Sequence, residues 1–346
     1  MRANILRLPD LTRPPVEEKP HGMLLLAALL LAAPHRVYTS NEASDDVAVI
    51  EDDALVARIP VGKRPRGLKL GPGGKLYVAV SGSPRGGPGQ RDEDLPPADR
   101  AQDGIAVVDL ALGKVVGRLP GGPDPESFDL SPDGKLLYVS NEDAATLSVV
   151  DIAAGRVVRT VKVGAEPEGV TVAPDGKAIY VTSEGNDEVD VVDARSFTLL
   201  ARPAVAARPR AVAFTPDGAR AFVSAEQGAA VDVIDARTHR RTGRIPIAGK
   251  GVKPMGLAMS RDGSRLFVST GRGGSVACVD VKALRVLQTF EGVGPRPWGV
   301  ALSPAGDRLY TANGPSDDVS VIDLQSGRIL RRIGAGKSPW GVVVAP

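Results

Sequence analysis

Cysteine, histidine and aromatic residues are scarce in this chain of 346 residues. Its single cysteine, Cys278, excludes an intramolecular disulfide, a Cys-x-x-Cys redox pair and a cysteine zinc site. The three histidines, at positions 21, 35 and 239, are too far apart in sequence to suggest a metal cluster. A net charge of +2, from 43 basic and 41 acidic residues, gives no basic surplus that nucleic-acid binding would require. We therefore predict no nucleic-acid partner.

Long apolar runs are also missing, apart from Met23–Ala33. Eleven residues rise about 16 Å as a helix, roughly half the hydrocarbon thickness of a bilayer, so we predict no integral membrane domain. The length suits the apolar core of a signal peptide, and Arg2, Arg7, Arg13 and Lys19 precede it. Residues 1–34 are thus predicted to be a signal-like leader, with a short buried helix as the alternative. We expect an exported, periplasmic protein and leave cleavage of the leader open.

Glycine and proline, by contrast, are abundant, with 40 and 29 residues, and they recur with a period. A tetrad typified by Ser131-Pro132-Asp133-Gly134 ends in glycines at positions 74, 134, 176, 218, 263 and 306. The intervals are near 42 residues except the first, which is about 18 residues longer because of an insertion within residues 81–103. This insertion is interpreted as a solvated loop, with a lid or a partner-binding arm as alternatives.

Each repeat contains four short segments in a fixed order, as in Tyr138-Val139-Ser140, Val149-Val150-Asp151, Arg156–Val161 and Pro167–Val172. They are rich in β-branched residues and bounded by turn residues, which is typical of β-strands. Four strands per repeat, seven times over, predict an all-β fold: a seven-bladed β-propeller of four-stranded blades over residues 35–346.

The two ends of this region complement each other. Residues 344–346 form the first half of a tetrad, and the segment from His35 reads like the sequence that should follow one. We therefore predict that the last blade is closed by both termini, which leaves the ring without open sheet edges.

The repeats resemble the YVTN-family propeller repeat, and Tyr138–Asn141 and Val161–Gly169 are the copies most similar to it. The resemblance covers the chain from residue 35 onwards. Within that family the sequence is most similar to propeller proteins encoded beside PQQ-dependent alcohol oxidation systems. This implies a periplasmic accessory of PQQ-dependent alcohol catabolism, with PQQ as a candidate ligand and a quinoprotein or cytochrome as a candidate partner.

Residues that depart from the repeat are the candidates for function, because residues common to all blades are explained by the needs of each blade. The residue after proline in the Pro-x-Gly motif, called position x below, should lie at the channel mouth. In blade order, position x is occupied by Arg66, Glu126, Glu168, Arg210, Met255, Trp298 and Trp340. We predict that these seven residues bind a ligand.

A small planar anion, such as PQQ, would suit this set: its rings would stack on Trp298 and Trp340, and its carboxylates would pair with Arg66 and Arg210. A peptide with an aromatic and an acidic residue would suit it equally. The alternative is that the tryptophans plug the channel and the charges form a solvated rim.

A second set of polar residues follows the aromatic-led strand in four blades: Asn41-Glu42, Asn141-Glu142, Glu184 and Glu226. Metal-dependent propeller lactonases gather such residues at the mouth, because Ca²⁺ prefers hard oxygen ligands. No set of histidine, carboxylate and nucleophile is visible in the sequence. We therefore favour a non-catalytic propeller that binds a ligand or a protein, with a metal-dependent lactonase-like hydrolase or a structural, adhesive surface protein as alternatives.

Overall fold

The structure, a computed structural model, describes residues 35–85 and 94–345. The predicted leader 1–34 and residues 86–93 of the insertion lie outside the described residues, so the leader and the role of the insertion stay predictions. No helix in the described part of the chain is long and apolar enough to cross a membrane.

Within the described residues, almost all regular structure is β. The first fourteen strands are β1 (Arg36–Asn41), β2 (Asp46–Glu51), β3 (Ala54–Pro60), β4 (Leu68–Gly71), β5 (Lys75–Val80), β6 (Gly104–Asp109), β7 (Lys114–Leu119), β8 (Pro125–Leu130), β9 (Leu136–Asn141), β10 (Thr146–Asp151), β11 (Arg156–Lys162), β12 (Pro167–Val172), β13 (Ala178–Ser183) and β14 (Glu188–Asp193). The others are β15 (Leu199–Ala201), β16 (Pro209–Phe214), β17 (Arg220–Ala225), β18 (Ala230–Asp235), β19 (Arg240–Pro246), β20 (Leu257–Met259), β21 (Arg265–Ser269), β22 (Val276–Asp280), β23 (Arg285–Phe290), β24 (Pro297–Leu302), β25 (Arg308–Asn313), β26 (Asp318–Asp323), β27 (Ile329–Gly334) and β28 (Pro339–Ala345). Short 3-10 turns lie at Arg100–Gln102, Glu184–Asn186, Gly271–Gly273 and Gly314–Ser316.

These strands form seven antiparallel sheets of four strands, each one a blade. The blades are β4–β7, β8–β11, β12–β15, β16–β19, β20–β23, β24–β27 and the composite β28-β1-β2-β3. The first strand of each blade neighbours the first strands of the adjacent blades, so these seven strands surround the axis. The prediction of a seven-bladed propeller is confirmed.

The composite blade joins the two ends of the described chain. Strand β28 pairs with β1 in an antiparallel register that sets Arg36 opposite Ala345 and Tyr38 opposite Val343. The predicted closure of the last blade is therefore confirmed.

The shared residues of the repeat build the blades, as expected from the sequence. The hydrophobic core lies between neighbouring blades, where Tyr180 and Val191 of one blade pack with Val212 and Val223 of the next. The aspartate that ends the third strand caps a turn: Oδ1 of Asp193 accepts hydrogen bonds from the backbone N–H groups of the second and third residues after it, at 3.0 and 2.7 Å. The carboxylates at this repeat position therefore serve as hydrogen-bond acceptors for the backbone of the turn.

Candidate active site

Position x lies at the start of the innermost strand, where the backbone leaves the regular ladder. The register of β12 against β13 shifts between Pro167 and Val170, and β8, β16 and β24 have the same irregularity. Because Glu168 lies inside this shift, its side chain is directed by the local bend rather than by strand alternation. The irregularity recurs at the same repeat position, so the side chains at position x meet at one end of the channel.

Contacts between blades fix the backbone at position x. The hydroxyl of Thr182 donates to the carbonyl oxygen of Arg210 in the next blade at 3.0 Å. In the same way, the hydroxyl of Ser269 donates to the carbonyl oxygen of Trp298 at 2.6 Å. The strands are also crowded: a Cβ atom at Gly169 would lie 2.3 Å from the carbonyl oxygen of Arg210, closer than atoms can approach. Nothing in the sequence singled out these hydroxyls as contacts between blades.

One side of the mouth is a charged network, here called the carboxylate half. Its members are Glu42, Arg66, Glu126, Glu142, Glu168, Glu184, Arg210 and Glu226. The Arg210 guanidinium lies at its centre: Nη1 donates to Glu168 Oε1 at 2.5 Å, Nη2 donates to Glu226 Oε2 at 2.6 Å, and Glu184 is in direct contact. One cation thus serves three carboxyl groups.

The Arg66 guanidinium forms a second centre in the carboxylate half. It contacts Glu126, its Nε lies 3.2 Å from Glu42 Oε1, and its Nη1 lies 3.7 Å from Glu142 Oε2. Glu126 is fully buried, and its Oε2 has no hydrogen-bond partner among the described residues. The charge of Arg66 is therefore the main compensation for this buried carboxylate.

The crowding of carboxyl groups separates their pKa values. Burial and the nearby charge of Glu168 raise the pKa of Glu184 to about 9, and burial together with the same charge raises the pKa of Glu142 to about 7. For Glu226 burial acts in the same direction, but the charge and hydrogen bonds of Arg210 outweigh it and hold the pKa at about 2. At neutral pH, Glu184 is therefore protonated and hydrogen-bonded to Glu168 while Glu226 is ionised.

The opposite side of the mouth is called the indole half. Its members are Met255, Gly271, Arg272, Arg296, Trp298, Gly314 and Trp340. The indole rings of Trp298 and Trp340 lie 5.7 Å apart between centroids, at an angle of 41°. The guanidinium carbons of Arg296 and Arg210 lie 4.9 and 5.8 Å from the centroid of the Trp298 ring. This half therefore presents flat apolar surface flanked by cations.

The two halves meet at a cavity of about 210 Å³ on the channel axis. Its charged lining residues are Glu168 and Arg210, and Met255, Trp298 and Trp340 supply much of the rest. Five of the seven predicted site residues thus surround one cavity. The other two, Arg66 and Glu126, form their ion pair outside the lining. Whether the seven residues bind a ligand stays a prediction.

The structure adds a constraint to the predicted ligand contacts. Arg66 and Arg210 each already pair with three glutamates, so a ligand carboxylate would have to compete with the chain's own carboxylates at both positions. Glu142, Glu184 and Glu226 were predicted from the sequence only as a second polar set, separate from position x. The signal that links them is their spacing: position x and the outer glutamate are sixteen residues apart within a blade, as in 168 and 184 or 210 and 226.

Three carboxylates have oxygen atoms close enough to suggest a cation site: the ligand atoms of Asp124, Glu126 and Glu142 lie within 4.8 Å of one another. The guanidinium of Arg66, however, contacts Glu126 and lies 3.7 Å from Glu142. It supplies positive charge at the place where a metal ion would have to bind. The residues as arranged therefore do not fit a metal ion, although each oxygen alone would suit Ca²⁺.

Comparison with protein families finds two matches. The family described as lactonase, seven-bladed β-propeller matches residues 162–344, more than half of the chain. The family described as YNCE-like β-propeller matches residues 88–176. No curated protein matches the sequence.

Solved structures with the same fold are numerous. The periplasmic gluconolactonase PpgL of Pseudomonas aeruginosa is 21% identical, with 91% of this chain and 99% of that chain covered and a TM-score of 0.72. A Bacteroides uniformis protein provisionally assigned as a 6-phosphogluconolactonase is 16% identical, with coverages of 90% and 99% and a TM-score of 0.73. Hydrazine synthase of Kuenenia stuttgartiensis is 22% identical, with coverages of 83% and 91% and a TM-score of 0.70. At these identities the likeness shows the fold.

The prediction of a non-catalytic binding protein is wrong. The family that matches more than half of the chain is one of lactonases, which are hydrolases, and two of the similar structures carry lactonase names. A non-catalytic protein was predicted because the sequence contains no recognisable set of histidine, carboxylate and nucleophile at the mouth. The chemistry available at the mouth lies instead in carboxyl groups and guanidinium groups.

Proposed function

The chain belongs to the family of lactonases built as seven-bladed β-propellers, and from that membership we propose that it hydrolyses the ring ester of a lactone at the channel mouth. The observation that carries the proposal is the lining of the central cavity, where Glu168 and Arg210 lie beside two indole rings. Ester hydrolysis needs a base for the attacking water and positive charge for the oxyanion that forms. Glu168 and Arg210 supply these two groups.

In the proposed reaction, water adds to the carbonyl carbon of the lactone and gives one proton to Glu168. The carbonyl oxygen becomes an oxyanion close to Arg210. Glu168 loses its negative charge at the same moment, so Arg210 has one counter-ion fewer and its charge becomes available to the oxyanion. Collapse of this intermediate breaks the bond between the carbonyl carbon and the ring oxygen, which takes up the proton held by Glu168. The Glu168 carboxylate is restored, and an open-chain hydroxy acid results.

Glu184 is proposed as a positioning residue and proton store behind Glu168. It is buried, is protonated at neutral pH and forms a hydrogen bond with Glu168. A neutral neighbour leaves the Glu168 carboxylate as the only charged member of the pair, in an orientation fixed by the hydrogen bond. The shared proton also offers a route by which Glu168 can be reset after each turnover.

The proposal does not include a metal ion, because Arg66 supplies the positive charge among the three clustered carboxylates. We retain the periplasm as the location, which is supported by the apolar run Met23–Ala33 and by the periplasmic gluconolactonase that shares the fold. The YVTN-type assignment of the repeats, the binding of PQQ and a quinoprotein or cytochrome partner stay predictions. A fluorescence titration of the two tryptophans with PQQ would test the second of these.

The test is turnover of a panel of γ- and δ-lactones, with acid release followed at constant pH. We expect at least one lactone to open well above its spontaneous rate, and the rate to survive dialysis against a chelator. Rates equal to the spontaneous ones for the whole panel would overturn the proposal. Activity that disappears on chelation and returns with Ca²⁺ would overturn the role given to Arg66.

A further inference from the structure

Arg296 is a cation without a counter-ion in the indole half. Its guanidinium lies over the ring of Trp298, at 4.9 Å, and the side chain is half-buried. Within the residues that the structure describes, no carboxylate forms an ion pair with it. A half-buried guanidinium that lacks a partner is costly, since its desolvation is not repaid.

Among the described residues, the other partly buried arginines at the mouth are paired. Arg208 lies 2.5 Å from Glu184, Arg64 lies 3.3 Å from Glu42, and Arg66 and Arg210 have three carboxylate neighbours each. Among the described, partly buried arginines of this rim, the absence of a partner is therefore particular to Arg296.

The charge around Arg296 is predominantly positive. Burial lowers the pKa of Arg296, and the charge of Arg272 lowers it further. The charge of Glu226 acts in the opposite direction, but less than that of Arg272, and the charges of Arg210 and Arg85 add to the lowering. Arg272 is exposed and has no ion-pair partner among the described residues either. An anion bound here would relieve this repulsion and would complete the hydrogen-bonding capacity of Arg296.

The indole half lacks the acidic side chains that the carboxylate half carries sixteen residues after position x. Sixteen residues after position x, where other blades carry glutamate, this half carries Gly271 and Gly314. Trp298 and Trp340 line the central cavity, and Gly314 lies next to the edge of the Trp298 ring. A ring would fit on the indoles, with a charged group directed towards Arg296.

We propose that Arg296, assisted by Arg272, is an anion-binding subsite for a carboxylate or phosphate group carried by the lactone substrate. That the bound anion is part of a substrate rests on the proposed function. The subsite itself is defined by the guanidinium over Trp298, which has no counter-ion among the described residues. It assigns the carboxylate half to the chemistry of the ring ester and Arg296 to recognition of a charged substituent.

The two tryptophans make the test direct, since the chain has no others and both lie at this site. Their fluorescence is titrated with glucose 6-phosphate, with gluconate and with neutral glucose. We expect one or both of the charged sugars to change the fluorescence saturably, with an apparent Kd that rises with salt, and glucose to have no effect in the same range. The phosphate and carboxylate arms identify which anion the subsite prefers.

The variant Arg296→Gln is expected to weaken binding of the preferred anion at least tenfold, and Arg272→Gln to weaken it less. The control is Arg261→Gln, in a turn at the other end of the channel, which should bind like the unmodified protein. Equal binding of glucose and the charged sugars, or unchanged binding by Arg296→Gln, would overturn the subsite.

The outcomes separate this inference from the proposed function. If charged sugars bind through Arg296 but no lactone is opened, the subsite stands and the hydrolase assignment falls. If neutral and charged lactones are opened with the same KM, and Arg296→Gln does not change it, the hydrolase stands and the subsite falls.

Discussion

The two halves of the channel mouth are built on the same repeated strands but differ in how their charges are satisfied. In the carboxylate half, Arg66 and Arg210 are each surrounded by three carboxyl groups, and the pKa values of Glu184 and Glu226 lie at about 9 and about 2. In the indole half, two flat rings are partly buried at the cavity and Arg296 has no counter-ion among the described residues. A half whose charges are internally compensated can hold and move protons, whereas a half with an uncompensated cation is suited to binding. The difference arises at position x and at the residue sixteen positions later, so a propeller can divide chemistry and recognition between blades without changing its frame.

The largest effect is expected from Glu168→Gln, which keeps the shape of the side chain and removes the proposed base. We expect kcat to fall by about 10²- to 10⁴-fold, the usual contribution of general acid–base catalysis. Glu166→Gln, two residues earlier and exposed, is the matched control and should leave kcat unchanged. Lactone turnover at constant pH measures both. If Glu168→Gln retains full activity, the base lies elsewhere in the carboxylate half.

Arg66→Ala tests whether the carboxylate half depends on its internal cations. The substitution leaves the fully buried Glu126 without its compensating charge, which should cost about 3 kcal/mol of the free energy of unfolding. We expect Ca²⁺ to raise the Tm of this variant and not that of the unmodified protein, because only the variant has room for a cation among Asp124, Glu126 and Glu142. Thermal unfolding with and without Ca²⁺ measures this.

Lys63→Ala is the control for Arg66→Ala, because it removes an exposed ion pair, with Asp45, that is screened by solvent and should contribute little to stability. An equal rise in Tm with Ca²⁺ for the unmodified protein would show that the cluster accepts a cation beside Arg66. The role of Arg66 as the resident cation would then be wrong.

The fold was predictable because each blade repeats the same local signals. Val-rich segments, the turn aspartates and the tetrad glycines recur seven times, so a misread element in one blade is corrected by six others. Even the closure of the ring followed from the matching ends of the sequence, and Tyr38 does lie opposite Val343. A pattern that repeats in every blade therefore allows the fold to be predicted from a single sequence.

The site was only partly predictable, for a physical reason. Position x could be listed from the repeat, but whether Arg210 is available to a ligand depends on which side chains reach it from neighbouring blades. Glu184 and Glu168 belong to the blade before that of Arg210, and their contacts with it depend on the packing of these two neighbouring blades. Charge compensation of this kind is a property of three-dimensional neighbours. The sequence therefore could not distinguish Arg210, which is paired, from Arg296, which has no counter-ion in the described part of the chain.

Trp298→Ala sharpens the comparison from the side of the indole half. It removes a ring that contacts Trp340 and two guanidinium groups, so we expect KM for the lactone to rise about tenfold while kcat changes little. Trp298→Phe keeps a smaller aromatic face and should have a weaker effect. A fall in kcat at unchanged KM would mean that Trp298 supports the chemistry and that the two halves do not divide the work as proposed.

The smallest effect is expected in the pH dependence of stability, and it reports on the carboxylate half alone. The pKa of Glu184 is raised from 4.5 to about 9 in the folded protein, so between these values the folded state holds a proton that the unfolded state has released. Its contribution to stability is therefore fully present below about pH 4.5 and is lost as the pH rises towards 9, at no more than about 1.4 kcal/mol per pH unit. Glu184→Gln, which imitates the protonated carboxyl, should flatten the fall in the free energy of unfolding between pH 7 and 9, measured by urea denaturation. Below pH 7 a slope should persist, because Glu142, with a pKa of about 7, still titrates there. Parallel curves of the free energy of unfolding against pH for the variant and the unmodified protein would mean that Glu184 is ionised in the folded state. Glu184 would then not hold a proton for Glu168, and the proposed role of the carboxylate half in proton transfer would be wrong.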